Sequence, residues 1–471
     1  MASGTVTSVM VALSVAALLL FISAMAKVVR RGEWSLTATV LAAVVILSVS
    51  FVELTVTYLG KWEKVVDVYN NTSWMMPGVA HFIWRIFTLI LGAGALVVFI
   101  VRARRRDATL NAPAVLYALL VIMSFGSSIL NGDNPLRPVS LVFFLTVLAC
   151  TVGTRGVGVH LGIGAIGSVA AIASGFTFLV SKDFSVFACT PTKCGPMGFN
   201  FQGILENENA LALYLALAMP FVWIAFDTWE GRWLCAFMVL LAVLTGSRTG
   251  AGSAVATFVV LLLTRPSIRR PSAAPIRTRL LYGGLAALAV VGIALPFTVS
   301  DPSAYHARAY IWLLARDGIS DPGGLLYGRG VLGWQHVAES GLLQNSETYS
   351  VHNQWLQVLF STGLIGFALY VAVLAVLLWR ARGAYSLVAG CVLTPVFVIS
   401  VTEQPWPIDT TVWLTWVIPG ALLCYPDLWR RRAASDRQPA LVSAEPAPSS
   451  SGPQAVGPAD VAARGATGSP V

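Results

Sequence analysis

Charged residues are scarce in this chain. Asp, Glu, Lys and Arg make up 11% of its 471 residues, whereas a soluble globular domain carries roughly 25%. Hydrophobic residues make up 56%, so the chain lacks the polar side chains needed to cover a folded surface in water. This composition excludes a cytosolic enzyme, a disordered regulator and a disulfide-stapled secreted domain. It predicts an all-α, polytopic transmembrane helix bundle embedded in a lipid bilayer.

Acidic residues are fewer than basic ones, and the formal net charge is +9. The Lys and Arg residues lie in short loops rather than on one face, so no nucleic-acid partner is predicted. Histidine is also rare, with five residues in the chain. Three of them form no cluster with other candidate residues: His81, His160 and His336.

Thirteen apolar stretches approach the length of about 20 residues that a helix needs to cross a bilayer. The fifth, eighth and ninth are short, so about 12–13 spans are expected. The loops on one side hold 19 basic residues and the opposite loops hold nine, which predicts an outside N-terminus and a cytoplasmic C-terminus. The predicted spans lie near 5–26, 34–56, 79–101, 112–131, 138–153, 157–177, 209–227, 232–247, 250–264, 280–298, 354–378, 385–402 and 409–425.

The spans divide the chain into two parts. Residues 1–428 are predicted to form the bundle, with 300–352 as one large extracytoplasmic loop. Residues 429–471 are rich in Ala, Pro, Ser and Gly and are predicted to be a disordered cytoplasmic tail. Cys189 and Cys194 share a loop predicted to lie outside, where they form a disulfide or remain two free thiols.

Two arginines lie in predicted outer loops beside glycine or aromatic residues. Arg248 is the centre of the sequence GSRTG, a tight turn that suits diphosphate binding through paired hydrogen bonds. The alternative is an ordinary turn with a snorkelling Arg. Tyr305, Arg308 and Trp312 have the spacing of one face of a short surface helix. That helix either contacts a ligand or anchors the chain at lipid headgroups.

A histidine lies where the large loop re-enters the membrane. His352 either accepts a proton at neutral pH or caps loop carbonyls. Asn207 is predicted to cap the seventh span, whereas Asn209 is left open between capping and binding acceptor hydroxyls. Glu403 either lines the same cavity or belongs to an ordinary polar loop. The candidates for acceptor contacts or cavity lining are Asn209, Asn353, Trp312 and Glu403.

A spacing pattern connects this histidine to a specific family. His352-Asn353, followed by nine residues and Gly363-x-x-Gly366, reproduces the pattern H-[NSQ]-x9-G-x-x-G. Over roughly residues 80–425 the chain resembles the O-antigen ligase and polymerase-like family of bacterial membrane glycosyltransferases.

The resemblance extends to the arginines and has two departures. Arg248 and Arg308 stand where family members carry essential arginines. The family usually has fewer spans, with both ends in the cytoplasm, and its ligases often have Thr where Phe367 stands here.

The resemblance implies an inverting glycan transfer that needs no metal or other cofactor. The donor would be a polyprenyl-diphosphate-linked glycan, and the acceptor hydroxyl would belong to a glycan, a lipid or a protein at the outer face of the cytoplasmic membrane. Arg248 and Arg308 would bind the diphosphate, and His352 would act as general base. The choice between ligase and polymerase stays open. The alternative function is a secondary transporter or flippase for a lipid-linked or anionic substrate, without chemistry.

Overall fold

The structure is a computed structural model in which part of the chain is described. The predicted spans near 34–56 and 409–425 lie almost wholly outside the described residues, and so does the predicted tail 429–471. The described residues are 4–34, 63–66, 72–75, 78–104, 109–153, 159–180, 182–189, 194–205, 207–269, 274–305, 308–340, 342, 350–381, 385–406 and 408.

Helices dominate these residues. The helices are α1 Gly4–Arg30, α2 Gly78–Ala103, α3 Ala112–Leu130, α4 Pro138–Thr151, α5 Val159–Val180, α6 Lys182–Ser185, α7 Glu208–Phe226, α8 Trp229–Leu244, α9 Arg248–Thr264, α10 Pro275–Thr298, α11 Arg308–Gly318, α12 Pro322–Tyr327, α13 Gly333–Glu339, α14 Gln354–Arg380 and α15 Ser386–Ser400. The strands form three antiparallel pairs: β1 Glu63–Val66 with β2 Thr72–Met75, β3 Thr109–Leu110 with β4 Val152–Gly153, and β5 Val186–Ala188 with β6 Phe199–Phe201.

The all-α prediction is confirmed for the described residues. Each of the eleven predicted spans that fall on them coincides with a helix. By length and composition, six helices in this part of the chain are able to cross a membrane: α1, α3, α5, α7, α10 and α14. These apolar helices indicate a membrane protein.

The core is built around α7. Its sequence is apolar on every side. Within its apolar stretch 94% of the residues are buried, whereas the buried share of the corresponding stretch is 22% in α1 and 17% in α10. A helix that is hydrophobic all round belongs inside a bundle, whereas exposed apolar faces on outer helices suit contact with lipid. Helices α5, α8, α9 and α15 pack against α7.

Side-chain caps fix the starts of α7 and α9. Asn207 accepts a hydrogen bond from the Ala210 amide at 2.7 Å, which confirms its predicted capping role at α7. Ser247 accepts from the Gly250 amide at 3.3 Å and caps α9. Each cap satisfies an amide that the helix leaves without an internal partner.

Helix α14 is kinked at the first glycine of the spacing pattern. Gly363 has φ 62° and ψ −167°, which interrupts the helical hydrogen bonding. The carbonyls of Phe360 and Ser361 instead accept hydrogen bonds from the amides of Arg329, at 2.7 Å, and Gly330, at 2.9 Å. The glycine therefore lets the segment between α10 and α14 dock onto α14.

We expect Gly363→Ala to destabilise the protein by about 3 kcal/mol or more, because both its backbone conformation and its surroundings require glycine. A Cβ at this position would lie 2.3 Å from the carbonyl oxygen of Leu326. Thermal unfolding in detergent measures the effect. Gly284→Ala in α10 is the control, since a Cβ there meets no atom within 4 Å. Equal melting temperatures for the two variants would contradict this interpretation of the kink.

Candidate functional site

The starts of α9 and α11 meet the chain that follows α15. The hydroxyls of Thr249 and Thr402 are 3.0 Å apart and share a hydrogen bond. The Nη1 of Arg308 donates to the carbonyl oxygen of Thr402 at 2.9 Å. Thr402 therefore links the turn that carries Arg248 to the helix that begins with Arg308.

A carboxylate at the next position joins two of the predicted site residues. Arg308 donates from Nη2 to Oε1 of Glu403 at 2.5 Å, and the other carboxylate oxygen, Oε2, lies 2.9 Å from Nδ1 of His352. The side chain of Glu403 is 12% exposed, whereas those of Arg308 and His352 are each 25% exposed. We call these three residues the Glu403 cluster.

The carboxyl group of Glu403 is ionised at neutral pH. Burial alone would raise its pKa, but the hydrogen bond from His352 and the charges of His352 and Arg308 outweigh that effect. The net result is a pKa below the ordinary value for glutamate. The cluster thus contains a fixed negative charge between a guanidinium and an imidazole.

The carboxylate determines which nitrogen of His352 can act as a base. An ionised carboxylate only accepts hydrogen bonds, so Nδ1 carries the proton and donates it to Oε2. The lone pair of the neutral ring is then on Nε2, which has no hydrogen-bond partner among the described residues. This arrangement suits proton transfer to Nε2, with the resulting imidazolium stabilised by Glu403.

The backbone of His352 is held in an unfavourable conformation. Its φ is 51°, in the left-handed region that residues other than glycine rarely adopt. Neighbouring residues fix it there: Trp312 donates from Nε1 to the Val351 carbonyl at 3.0 Å, and Asn353 caps α14 by accepting from the Leu356 amide at 2.8 Å. Strain of this kind concentrates at functional sites.

Two residues predicted as acceptor contacts or cavity lining are buried near His352. Asn353 and Trp312 are both fully buried. The side-chain amide of Asn353 donates to the carbonyls of Gly292 and Val401, at 2.9 and 2.8 Å. Both side chains hold the backbone around His352 in place. Their predicted role as acceptor contacts or cavity lining stays a prediction.

The predicted helix face around Arg308 is partly wrong. Helix α11 begins at Arg308, and Tyr305 precedes it with a φ of 54°. Its ring nevertheless packs against Trp312, with centroids 5.6 Å apart. The chain turns sharply at Tyr305, a feature that helical spacing alone does not reveal.

The remaining predicted residues lie at helix starts and in one loop. Arg248 is the exposed first residue of α9, and Asn209 is exposed on the first turn of α7. The start of a helix favours a bound anion, because unpaired amides and the helix dipole add to the charge of an arginine there. Cys189 and Cys194 are joined by a disulfide. The acceptor role of Asn209 stays a prediction.

Sequence reasoning also missed the pairing of His336 with Asp133. Nε2 of His336 lies 2.8 Å from Oδ1 of Asp133, so α13 is tied to the connection between α3 and α4. The two residues are 203 positions apart, and no local pattern links them. Glu403 was an open candidate, and its signal was an acidic residue directly after an apolar span.

No protein-family model, curated protein or solved structure matches this chain. The functional interpretation therefore depends on the geometry of the Glu403 cluster and its surroundings.

The lowered pKa of Glu403 predicts a pH-dependent contribution to stability. The carboxylate binds a proton less readily in the folded protein than in the unfolded chain. Its contribution to stability is therefore complete at a pH above the ordinary glutamate pKa of 4.5, and it is lost as the pH falls through the lower pKa of the folded protein. We expect the difference in melting temperature between wild type and Glu403→Gln to shrink as the pH falls below 4.5. A difference that stays constant from neutral to acid pH would contradict this prediction.

Proposed function

We propose that this protein transfers a glycan from a polyprenyl-diphosphate carrier to an acceptor hydroxyl at the outer face of the cytoplasmic membrane. The main support is the carboxylate of Glu403, which contacts both Nδ1 of His352 and the guanidinium of Arg308. With Nδ1 bonded to the carboxylate, Nε2 of this partly exposed histidine is the atom that accepts a proton. The guanidinium of Arg308 is held on the same carboxylate.

The proposed reaction begins with the acceptor hydroxyl beside Nε2 of His352. Its proton moves to Nε2 while its oxygen forms a bond to the anomeric carbon of the donor sugar. The bond between that carbon and the diphosphate oxygen breaks, and the electron pair leaves with the carrier diphosphate. Attack opposite the leaving group inverts the anomeric centre. Glu403 stabilises the imidazolium that forms.

The leaving diphosphate needs compensation for its charge. Arg308 uses two of its five N–H donors for Glu403 and Thr402, so further donors remain for an anion. Arg248 lies next to Thr249, whose hydroxyl contacts Thr402. We assign both guanidinium groups to the diphosphate, because paired charge-assisted hydrogen bonds are the strongest recognition that a protein offers this group.

The apolar helices support a lipid-linked donor. Helices α1 and α10 expose most of their apolar surface, including Leu19, Ile22 and Val290. A long prenyl chain partitions into such surroundings, since each buried methylene contributes about 0.8 kcal/mol. Ligase and polymerase activity use the same chemistry and differ in whether the acceptor is another repeat unit.

Binding of farnesyl diphosphate, a soluble prenyl diphosphate, tests the diphosphate site in protein reconstituted into lipid nanodiscs. We expect Arg248→Ala and Arg308→Ala each to raise its Kd by about 10- to 100-fold, the effect of losing charged hydrogen bonds. Arg316→Ala is the control, because Arg316 lies on α11 but donates to the carbonyls of Pro296 and Val299. Unchanged Kd values for the first two variants would contradict the assignment.

A turnover assay in proteoliposomes tests the chemistry itself. Wild type should release carrier diphosphate in equal amount to the glycan transferred. If a lipid-linked glycan crosses the membrane with its diphosphate linkage intact, transport rather than transfer is the activity.

A further inference from the structure

A small disulfide-closed hairpin lies beside the proposed diphosphate site. Strands β5 and β6 pair antiparallel, with Val186 opposite Phe201 and Ala188 opposite Phe199. Cys189 follows β5 directly, and its bond to Cys194 closes the connection toward β6. We call the described residues 186–189 and 194–201 the disulfide hairpin.

The two strands of this hairpin are anchored unequally. On β6, Phe199 and Phe201 are buried, and the Phe201 ring stacks on Phe178 with centroids 4.7 Å apart. On β5, Val186 is buried but Phe187 and Ala188 are exposed, so the end of this strand next to Cys189 is held mainly by its pairing with β6. Short two-stranded ribbons are only marginally stable alone. The disulfide therefore supplies the restraint that the β5 side lacks.

The hairpin contacts the turn that carries Arg248 through the backbone of Gly195 and the side chain of Asn200. Gly246 has a φ of 72°, and a Cβ there would lie 2.7 Å from Oδ1 of Asn200 and 2.8 Å from the amide nitrogen of Gly195. A Cβ on Gly195 would in turn lie 2.8 Å from the carbonyl oxygen of Leu244. The amide of Gly195 donates to Oδ1 of Asn200 at 3.1 Å, which fixes the surface that Gly246 meets.

The same turn leads directly into the proposed site. Ser247 caps α9, and Arg248 is the first residue of that helix. The hydroxyl of Thr249 shares a hydrogen bond with the hydroxyl of Thr402. The turn is therefore held on one side by the disulfide hairpin and on the other by the chain that carries Glu403. A shift of the Cys194–Gly195 backbone would move Gly246, and with it the start of α9.

We propose that the Cys189–Cys194 disulfide is a positioning device for Arg248, so that tight binding of the donor diphosphate requires the oxidised hairpin. This inference rests on the proposed function. It assigns the disulfide a role in donor binding and not only in stability.

The binding test uses farnesyl diphosphate and purified full-length protein in nanodiscs. Reduction by a water-soluble phosphine gives two thiols and one phosphine oxide per disulfide. We expect reduction of wild type, or the double substitution Cys189→Ser with Cys194→Ser, to raise the Kd about tenfold, as a misplaced contact group does. Reductant should not change the double variant further, because the other described cysteines, Cys150, Cys235 and Cys391, are already free thiols.

A double-mutant cycle separates positioning from general damage. In an Arg248→Ala background we expect the double Cys→Ser substitution to weaken binding no further, because the group that it positions is absent. A loss of equal size in that background, or no loss in wild type, would overturn the proposal.

Hydrogen–deuterium exchange gives a readout that is independent of the proposed function. We expect reduction to accelerate exchange in peptides covering 244–252, while the buried helix α7 keeps its rate. Unchanged exchange in 244–252 would overturn the positioning role. If wild type does not bind farnesyl diphosphate, the proposed function fails, and exchange alone then decides whether the disulfide holds the turn.

Discussion

Replacing His352 with Asn is expected to lower the rate of glycan transfer by about 10²–10⁴-fold, the contribution of a positioned general base. Asn lacks a group that accepts a proton at neutral pH. Apart from glycine, it is among the residues that best tolerate the left-handed backbone, so the φ of 51° at this position should be kept. The loss should therefore appear in the chemical step rather than in folding or donor binding.

The measurement is the initial rate of transfer in proteoliposomes from a polyprenyl-diphosphate-linked oligosaccharide. His336→Asn is the control, because His336 is exposed and pairs with Asp133 rather than with Glu403. We expect the control to retain the wild-type rate. A His352→Asn variant that transfers as fast as wild type would remove the general base from the mechanism.

Replacing Glu403 with Gln is expected to lower kcat by as much as about 10⁴-fold, the cost of losing a carboxylate that orients a catalytic histidine. A neutral amide no longer fixes the proton on Nδ1 of His352 and does not stabilise the imidazolium. Arg308 also loses its ion pair, in which its Nη2 lies 2.5 Å from Oε1 of Glu403 in wild type.

The change in kcat against KM distinguishes this role from a purely structural one. We expect Glu403→Gln to affect kcat far more than the KM for the donor, and Glu403→Asp to recover part of the rate. Glu339→Gln is the control, since Glu339 accepts from Gln335 on α13 and does not belong to the Glu403 cluster. A wild-type kcat for Glu403→Gln would show that the carboxylate has no part in the reaction.

The helices were predictable because each depends on local sequence. An apolar stretch of about 20 residues can satisfy its backbone in a membrane only as a helix or within a closed barrel, so composition alone constrains the fold. The cap at Asn207 was predictable for the same reason, since its hydrogen bond to the Ala210 amide spans three residues.

The Glu403 cluster was not predictable from local sequence. Glu403 is 51 residues from His352 and 95 residues from Arg308, and only tertiary packing brings the three together. Sequence patterns identified the histidine and the arginine as chemically useful groups. They left open whether the acidic residue was part of a site or of an ordinary loop.

The spacing between His352 and Gly363 has a physical reason that the sequence does not contain. The kink at Gly363 opens α14 where the amides of Arg329 and Gly330 bind its free carbonyls. His352 lies eleven residues before Gly363, and the same helix begins at Gln354, directly after its cap Asn353. The pattern therefore sets the distance along α14 between His352, just before the helix starts, and the kink where the segment with Arg329 and Gly330 docks on the helix.

The most direct test of the central claim is an electron cryomicroscopy structure of the His352→Asn variant with a polyprenyl-diphosphate-linked sugar bound. We predict that the diphosphate contacts the guanidinium groups of Arg248 and Arg308, and that the anomeric carbon faces residue 352. A diphosphate bound at another part of the bundle, or an Arg248 directed away from Arg308, would contradict the claim.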